Sequence, residues 1–348
     1  MLSVVIPSHN HADALRYHLP AVLAQDYEDF EVIVVDVAST DETKDVLESL
    51  EANEPRLHHT FTPASARDIS LERLALTLGI RAAKYDWVVI TRADCQPASD
   101  QWLRCIADTV QEGKDIIIGV AKYDESHRTW FDLKTSFFRL WNTLANLRYV
   151  KSGEAAVRAD DCNVAIRRSA FLEKDGFGQQ VNLLTGAVEL LVNRLSNYRN
   201  TVTLTSPEAI VIQDRLSEQR LWKQQRTFYM ETRRHQRHTF GYRVKQNLRM
   251  ALPWFMLFVG LSVWPLVLYF DAPRSEPLWL LLGLIALLFI IILTYFNVSF
   301  NRAAAAIGYQ RLFHFSLPIL SLLLPLWNVS AWFRHRFTPK NEFRKKFI

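Results

Sequence analysis

The strongest constraint on the fold is the uneven distribution of charge along the chain. Three segments contain no charged side chain: residues 250–270, 277–301 and 315–333. Each approaches or exceeds the roughly 20 apolar residues with which a helix crosses a bilayer. Residues 1–249 instead mix charged and apolar positions, as a globular domain does. The sequence therefore predicts a globular domain followed by a hydrophobic membrane anchor.

Basic residues flank the apolar segments. Lys and Arg far outnumber acids both in residues 221–250 and in the tail after residue 333. Such flanks indicate the cytoplasmic side of a membrane and contact with anionic lipid headgroups. Binding of nucleic acid is disfavoured, because these clusters adjoin the membrane segments. Since the N-terminus does not resemble a signal peptide, we expect the globular domain on the cytoplasmic face of the inner membrane.

The globular part has the pattern of strands alternating with helices. Four β-branched apolar runs predict strands, at residues 2–7, 30–36, 87–91 and 115–120. Helical spacing predicts helices at residues 12–24 and 70–83. This order predicts an α/β fold with a largely parallel, doubly wound, Rossmann-like sheet. Ligands of such sheets bind beyond the carboxyl ends of the strands, which here are polar.

Residues 130–150 carry aromatic and apolar side chains at helical spacing, together with basic ones. The pattern predicts a helix that faces the core. A helix on the membrane surface is the alternative, because Trp and Phe opposite Lys and Arg also suit an interface.

Five segments together resemble family-2 glycosyltransferases. Two of them begin inside the first two predicted strands and continue into the turns after them: residues 4–10 (Val-Val-Ile-Pro-Ser-His-Asn) and residues 32–41, which end in Asp-Val-Ala-Ser-Thr-Asp. The other three, at residues 74–80, 90–97 and 161–168, have the order and spacing of that family. The resemblance covers nearly the whole chain, and it implies a GT-A fold and a nucleotide-sugar donor.

The resemblance implies a donor site at the strand ends. A carboxylate there can accept hydrogen bonds from a base edge and a ribose hydroxyl. A capped turn without a ligand is the alternative for the same pattern. The implied donor contacts are Pro7, Ser8, Asn10, Asp36, Ser39, Asp41, Arg73 and Arg92.

Two departures from the family pattern affect the metal site. Val37 stands where the family usually has a second acid, and Arg92 where it has the first acid of the metal-binding pair. Asp94 remains as the candidate for metal or donor contact, so Mg²⁺ or Mn²⁺ is expected to bind weakly or not to be required. Arg92 either points to solvent or neutralises the diphosphate.

Two further departures affect catalysis and the acceptor. Residues 186–190 replace the Gly-Glu-Asp segment that supplies the family's general base, and residues 224–228 only loosely resemble the Gln-x-x-Arg-Trp motif of processive synthases. The catalytic candidates are Glu189, as the base, and Asp94; Asp160 and Asp161 are alternative bases, and a solvated helix carboxylate is the alternative for Glu189. The implied acceptor-side residues are Asp161, Asn163 and Gln224.

The expected function is inverting transfer of a sugar to a membrane-associated acceptor, lipid-linked among the options, in polysaccharide or glycolipid synthesis. A degenerate glycosyltransferase that binds a nucleotide sugar or a partner enzyme without turnover is the first alternative. A transporter or channel is the second, and three apolar segments disfavour it. The predicted parts are a nucleotide-sugar-binding domain at residues 1–225, a basic connector at 226–249, the anchor at 250–333 and a basic tail at 334–348.

The charges of the tail also predict a topology. Three spans from a cytoplasmic domain would leave the tail outside, whereas its basic residues favour the cytoplasm. We therefore expect residues 250–270 and 277–301 to cross the membrane, joined by an external connector at 271–276. Residues 315–333, which contain Pro318 and Pro325, are expected to lie in the interface or to re-enter. A third full span is the alternative.

Overall fold

The computed structural model describes residues 1–62, 70–127, 129–178, 182–237, 239–269, 276–310, 313 and 315–344. It divides into two compact units. Unit 1 is Met1–Thr239 with Ala331–Ile348, and unit 2 is Phe240–Ser330. The four-part division drawn from composition stays a prediction.

Unit 1 alternates strands and helices along most of its length. Its strands are β1 Leu2–Ser8, β2 Phe30–Asp36, β3 Leu57–Phe61, β4 Trp87–Ile90, β5 Cys95–Pro97, β6 Ile116–Ile118, β7 Ala121–Tyr123, β8 Val164–Arg167, β9 Thr201–Thr203 and β10 Val211–Gln213. Its helices are α1 Ala12–Leu23, α2 Thr43–Glu51, α3 Leu71–Ala82, α4 Trp102–Thr109, α5 Trp130–Lys151, α6 Arg168–Glu173, α7 Ala187–Leu195 and α8 Gln219–His235. The strands and helices predicted from the sequence are therefore confirmed.

The central sheet has the strand order β3-β2-β1-β4-β8-β6-β9. Strands β1 to β4 pair in parallel, and so do β6 and β9, whereas β8 is antiparallel to both of its neighbours. A smaller sheet has the order β5-β10-β7. The predicted α/β class with a largely parallel sheet is confirmed, and the reversed β8 has a consequence for the site. Its first residue, Val164, pairs with Ile90 and Ile118, the last residues of β4 and β6. The residues just before β8 thus lie at the carboxyl ends of two other strands.

Helices cover both faces of the sheet. Val4 belongs to the core layer on one face with Leu19 of α1, and its neighbour Val5 to the layer on the other face with Ile80 of α3. Successive side chains of a strand point to opposite faces, so one buried strand serves both layers. Gly79 lets α3 approach closely, because a Cβ atom there would lie 2.4 Å from Val5 Cγ1.

Helix α5 faces the core, as the sequence predicts. Most of its apolar residues are buried, Phe137 and Leu140 completely. Thr129 and Asp132 form a capping box at its start, which satisfies backbone donors of the first turn.

Unit 2 consists of long helices. These are α9 Phe240–Tyr269, α10 Glu276–Ala306 and most of α11 Leu317–Phe337, whose last residues belong to unit 1. Trp254 Nε1 donates to the carbonyl of Leu322 at 3.0 Å, which joins α9 to α11. Among the described residues one helical stretch, Gly283–Ala306, is long and apolar enough to cross a membrane. Residues 271–275 of the predicted external connector lie outside the described residues.

Candidate active site

A cavity of about 400 Å³ opens beyond the carboxyl ends of β4 and β6. The loop before β8, the start of α7 and one face each of α5 and α8 form its walls. Four acids line it: Glu72, Asp160, Asp161 and Glu189. Four arginines accompany them: Arg92, Arg139, Arg158 and Arg226. The cavity therefore lies where ligands of such sheets bind, and it is strongly charged.

Arg92 joins two carboxylates at the centre of this site. Its Nε lies 2.9 Å from Asp94 Oδ1, and its Nη1 lies 3.0 Å from Asp161 Oδ2. The antiparallel direction of β8 brings Asp161 to the end of β4, where Arg92 and Asp94 stand. Asp161 and, less strongly, Asp94 raise the pKa of Arg92 well above its usual range, against the effect of burial. The guanidinium is thus a permanent internal cation that faces the cavity.

Asp94 has both carboxylate oxygens occupied by hydrogen bonds. Arg92 donates to Oδ1, and Gln213 Nε2 donates to Oδ2 at 2.9 Å. Burial alone would raise the pKa of Asp94, but the charge and hydrogen bonds of these neighbours hold it below its usual value. Asp94 is therefore ionised at neutral pH and fixed in orientation.

Asp160, Asp161 and Cys162 place possible ligand atoms within 4.8 Å of one another. Arg139 already binds Asp160 through two hydrogen bonds of 2.7 and 2.8 Å, and Arg92 binds Asp161. Burial raises the pKa of the Cys162 thiol well above its usual value, so its sulfur stays protonated. Mg²⁺ and Mn²⁺ require several free oxygen ligands. The arrangement does not fit a resident hard cation unless an arginine moves away.

Glu189, the predicted base, lies in the first turn of α7 and lines the cavity. Its Oε1 accepts hydrogen bonds from Arg158 Nε at 2.9 Å and from Gln236 Nε2 at 2.8 Å. Burial raises its pKa despite the charge of Arg158. Glu189 is thus a fixed member of an ion pair rather than a solvated helix carboxylate.

Gly186, just before this helix, packs closely against Thr232. It has φ 71°, and a Cβ atom on it would lie 2.3 Å from Thr232 Cγ2.

Glu72 is a cavity residue that the sequence did not single out. It lies in the first turn of α3, beside the buried Arg73. Burial and the nearby Asp161 raise its pKa to about 7, although Arg92 opposes this. The side chain is partly exposed because it faces the cavity, while protein surrounds its other sides. In the sequence it resembles an ordinary acid at a helix N-terminus, which the helix dipole favours.

The predicted nucleoside contacts at the ends of β1 and β2 form one hydrogen-bonded turn. Asn10 N donates to Ser39 Oγ at 2.8 Å, and the Ser39 hydroxyl donates to Asp36. Asn10 and Ala38 have φ values of 53° and 48°. Strained backbone of this kind persists where the surroundings fix it, and it concentrates at functional sites. Asp36, Ser39 and Asn10 are therefore held together at one edge of the sheet.

Other predicted donor contacts have structural partners. Asp41 accepts hydrogen bonds from the backbone of Ala12 and Thr43, both at 3.1 Å, and so fixes the starts of α1 and α2. Ser8 is buried at the end of β1, whereas Pro7 is partly exposed. Arg73 is 1% exposed and donates to the carbonyls of Leu183 and Thr185. Arg73 thus holds the loop before α7.

The acceptor-side residues separate into two groups. Asp161 lines the cavity. Asn163 is buried, accepts from Trp102 Nε1 at 3.1 Å and donates to the carbonyls of Val120 and Ala209. Gln224 is exposed on α8 outside the cavity lining, whereas Gln225 and Arg226 beside it line the cavity. Arg226 stacks over the ring of Phe138 at 4.1 Å.

Comparisons with known proteins agree with this fold. Residues 3–173 match the sequence model of glycosyl transferase family 2. A putative teichuronic acid biosynthesis glycosyltransferase of Bacillus subtilis is 36% identical over 21% of this chain and 31% of its own length. Chondroitin synthase of Escherichia coli is 30% identical over 38% of this chain and 19% of its own length. The chain thus matches less than half the length of these curated relatives.

A solved structure extends the likeness to the fold. The mannosyltransferase from Pyrobaculum calidifontis, in complex with GDP-Man and Mn²⁺, superposes with a TM-score of 0.60. The alignment covers 97% of this chain and 87% of that one at 18% identity, which supports the GT-A fold. The expected family resemblance is confirmed: the N-terminal α/β part of the chain, residues 3–173, matches glycosyl transferase family 2.

Proposed function

We propose that the chain is an inverting glycosyltransferase that moves a sugar from a nucleotide-sugar donor to an acceptor hydroxyl. The observation that carries this proposal is the charged cavity at the strand ends of a family-2 domain, with Arg92 at its centre. A carboxylate removes the acceptor proton, and the oxygen attacks the anomeric carbon. The bond to the diphosphate breaks as the nucleoside diphosphate leaves with the electron pair.

Arg92 is proposed to neutralise the donor diphosphate. Its Nε and Nη1 bind Asp94 and Asp161, and among the described residues nothing accepts a hydrogen bond from Nη2. A guanidinium binds phosphate oxygens well through such free donors. With this fixed cation present and the nearby carboxylates engaged, we expect little or no dependence on Mg²⁺ or Mn²⁺. Asp36, Ser39 and Asn10 are proposed to contact the nucleoside.

The acceptor is proposed to be membrane-associated, lipid-linked or otherwise bound at the cytoplasmic face of the inner membrane. The apolar stretch Gly283–Ala306 and the basic residues near unit 2 support contact with a bilayer. Similarity to a putative teichuronic acid biosynthesis glycosyltransferase and to chondroitin synthase supports a role in polysaccharide synthesis.

A donor screen tests the proposal. The full chain in detergent would be titrated calorimetrically with GDP-mannose, UDP-glucose and UDP-N-acetylglucosamine, and each donor would then be tested for hydrolysis. We expect binding of at least one donor, and slow release of nucleoside diphosphate. Absence of both binding and hydrolysis across a wide donor panel would contradict the proposed function.

A binding protein without turnover is the second candidate. The observation that favours it is the set of hydrogen bonds by which Arg92 and Arg139 engage Asp94, Asp160 and Asp161, so that these three carboxylates are not free to bind a metal together. Donor binding without hydrolysis, and without transfer to membrane lipid extracts, would support this candidate. Hydrolysis of any donor would exclude it.

A further inference from the structure

We propose that Glu72, rather than Glu189, is the base that removes the proton from the acceptor hydroxyl. The proposal rests on the glycosyltransferase function proposed above. Glu72 projects from the first turn of α3 into the cavity that Arg92 and Asp161 also line. It stands outside the segments that carry the family resemblance.

The first argument is the availability of the carboxylate. A base must present a free oxygen to the substrate hydroxyl within hydrogen-bond reach. Asp160 binds Arg139 through both oxygens, Asp161 binds Arg92 through Oδ2, and Glu189 accepts from Arg158 and Gln236 on Oε1. Within the described part of the chain, Glu72 accepts no hydrogen bond and forms no ion pair. Of the four cavity acids it is therefore the one with neither oxygen bound to a neighbouring arginine or amide.

The pKa of Glu72 suits a general base. Burial, with a smaller contribution from the negative charge of Asp161, raises the pKa of Glu72 to about 7. General bases work best when their pKa lies near the operating pH, because the carboxylate is then both populated and basic. Arg92 limits the rise, so the ionised form of Glu72 persists at neutral pH.

The start of α3, which carries Glu72, is held rigidly. Arg73, the next residue on α3, donates to the carbonyls of Leu183 and Thr185 at 3.0 and 2.9 Å. These carbonyls belong to the loop before α7, whose residues Thr185 and Gly186 line the cavity. The start of α3 is thereby fixed against the loop before α7, and precise placement of a base requires such a fixed support.

The acceptor O–H proton moves to the Glu72 carboxylate while the acceptor oxygen forms a bond to the anomeric carbon. The bond from that carbon to the diphosphate oxygen breaks, its electron pair stays on the nucleoside diphosphate, and Arg92 neutralises the new charge. The Glu72 carboxylic acid then loses its proton to water.

Glu189 acts as a positioning residue that holds Arg158 over the Tyr229 ring, 4.1 Å from its centre.

The test compares Glu72→Gln with Glu189→Gln in the full chain. The readout is hydrolysis of whichever of GDP-mannose, UDP-glucose or UDP-N-acetylglucosamine the wild type uses, since water then replaces the acceptor. We expect Glu72→Gln to lower kcat by about 10² to 10⁴-fold, with the donor Kd unchanged by calorimetry. In the wild type, kcat should increase as the pH is raised through 7, because Glu72 becomes ionised. This increase should disappear in Glu72→Gln and remain in Glu189→Gln. Glu112→Gln, at an exposed acid outside the cavity, is the matched control and should behave as wild type.

The outcomes separate this assignment from the proposed function. If the wild type hydrolyses a donor, and Glu72→Gln remains active with the same pH-dependent increase in kcat, the role of Glu72 is overturned and the proposed function is not. A wild type that neither binds nor hydrolyses a donor would overturn both. If Glu72→Gln melts early, Glu72→Asp replaces it: reduced kcat with the rise near pH 7 retained supports the assignment, and full kcat contradicts it.

Discussion

Arg92 Nη1 lies 3.0 Å from Asp161 Oδ2, across the junction between the end of β4 and the start of β8. Asp161 can reach this position because β8 runs antiparallel to β4. The same guanidinium binds Asp94 at 2.9 Å, so one arginine connects two strand ends. A fixed positive charge therefore occupies the part of the fold where the family resemblance implied a metal.

Removal of this arginine should reduce turnover. Arg92→Ala leaves Asp94 and Asp161 facing each other without a cation, and it removes the proposed diphosphate contact. We expect donor hydrolysis to fall by about 10²-fold or more. Arg92→Lys should recover little, because one ammonium group cannot bridge both carboxylates as the planar fork does. Steady-state kinetics and calorimetry measure these effects, and near wild-type activity of Arg92→Lys would contradict the bridging role.

Chelation should affect the wild type only weakly. The acids near the site are engaged by Arg92 and Arg139, so a hard cation would have few free oxygens to bind. We expect more than about half of the activity to remain in EDTA, with any stimulation by Mn²⁺ confined to millimolar concentrations. Complete loss with micromolar chelator, restored by micromolar Mn²⁺, is the contrary result.

Asp94 should be required for turnover but not for folding. It orients Arg92 and accepts from Gln213, so Asp94→Ala releases the guanidinium from one of its two anchors. We expect hydrolysis to fall by about 10²-fold, since loss of an oriented electrostatic contact usually costs that much. The melting temperature should stay close to that of the wild type. Retention of more than about a tenth of wild-type turnover would remove Asp94 from the mechanism.

The strands and helices were predictable because their signals are local. β1, β2 and β4 are buried on both faces and are therefore continuous β-branched runs in the sequence. The family resemblance in turn indicated the cavity through Asp94, Arg92 and Asp161. These three residues follow or precede strands whose ends meet at one edge of the sheet.

The partners of individual side chains were not predictable in the same way. Asn163 belongs to a motif that implied an acceptor contact, yet it binds Trp102 and two backbone carbonyls inside the core. Arg73 likewise holds a loop 110 residues further along the chain. Glu72 enters the site because the fold brings the start of α3 to the same cavity as Asp161. Such relations depend on tertiary packing, and spacing in the sequence carries no signal for them.

The Asp160–Arg139 pair should make stability depend on pH. Burial would raise the pKa of Asp160, but the charge and hydrogen bonds of Arg139 hold it below its usual value. Because the pKa of Asp160 is lower in the folded state than in the unfolded state, the pair stabilises the fold at pH values above the unfolded pKa, near 3.8. This stabilisation is lost as the pH falls through the folded pKa. Asp160→Asn should cost about 3–5 kcal/mol at pH 7, because it leaves Arg139 buried without its carboxylate. Melting temperatures at pH 7 and at pH 3 measure this, and an equal loss at both would contradict it.

The C-terminal tail contacts the N-terminal part of the chain inside unit 1. His335 Nε2 lies 2.8 Å from Glu231 of α8, and the carbonyl of Phe343 accepts from Leu184 N at 3.1 Å. A tail that binds the catalytic domain must lie on the same side of the membrane, so the chain should cross an even number of times. We therefore expect two spans, with residues 315–333 in the interface or re-entrant.

Cysteine labelling in intact cells tests this topology. A membrane-impermeant reagent should leave Thr338→Cys unmodified and should modify Ser275→Cys in the predicted external connector. The wild type, with Cys95 and Cys162 buried and Cys105 in the domain expected on the cytoplasmic side, is the background control. Permeabilised cells should then show modification of Thr338→Cys, because that position is partly exposed. Modification of Thr338→Cys from outside intact cells would overturn the two-span arrangement.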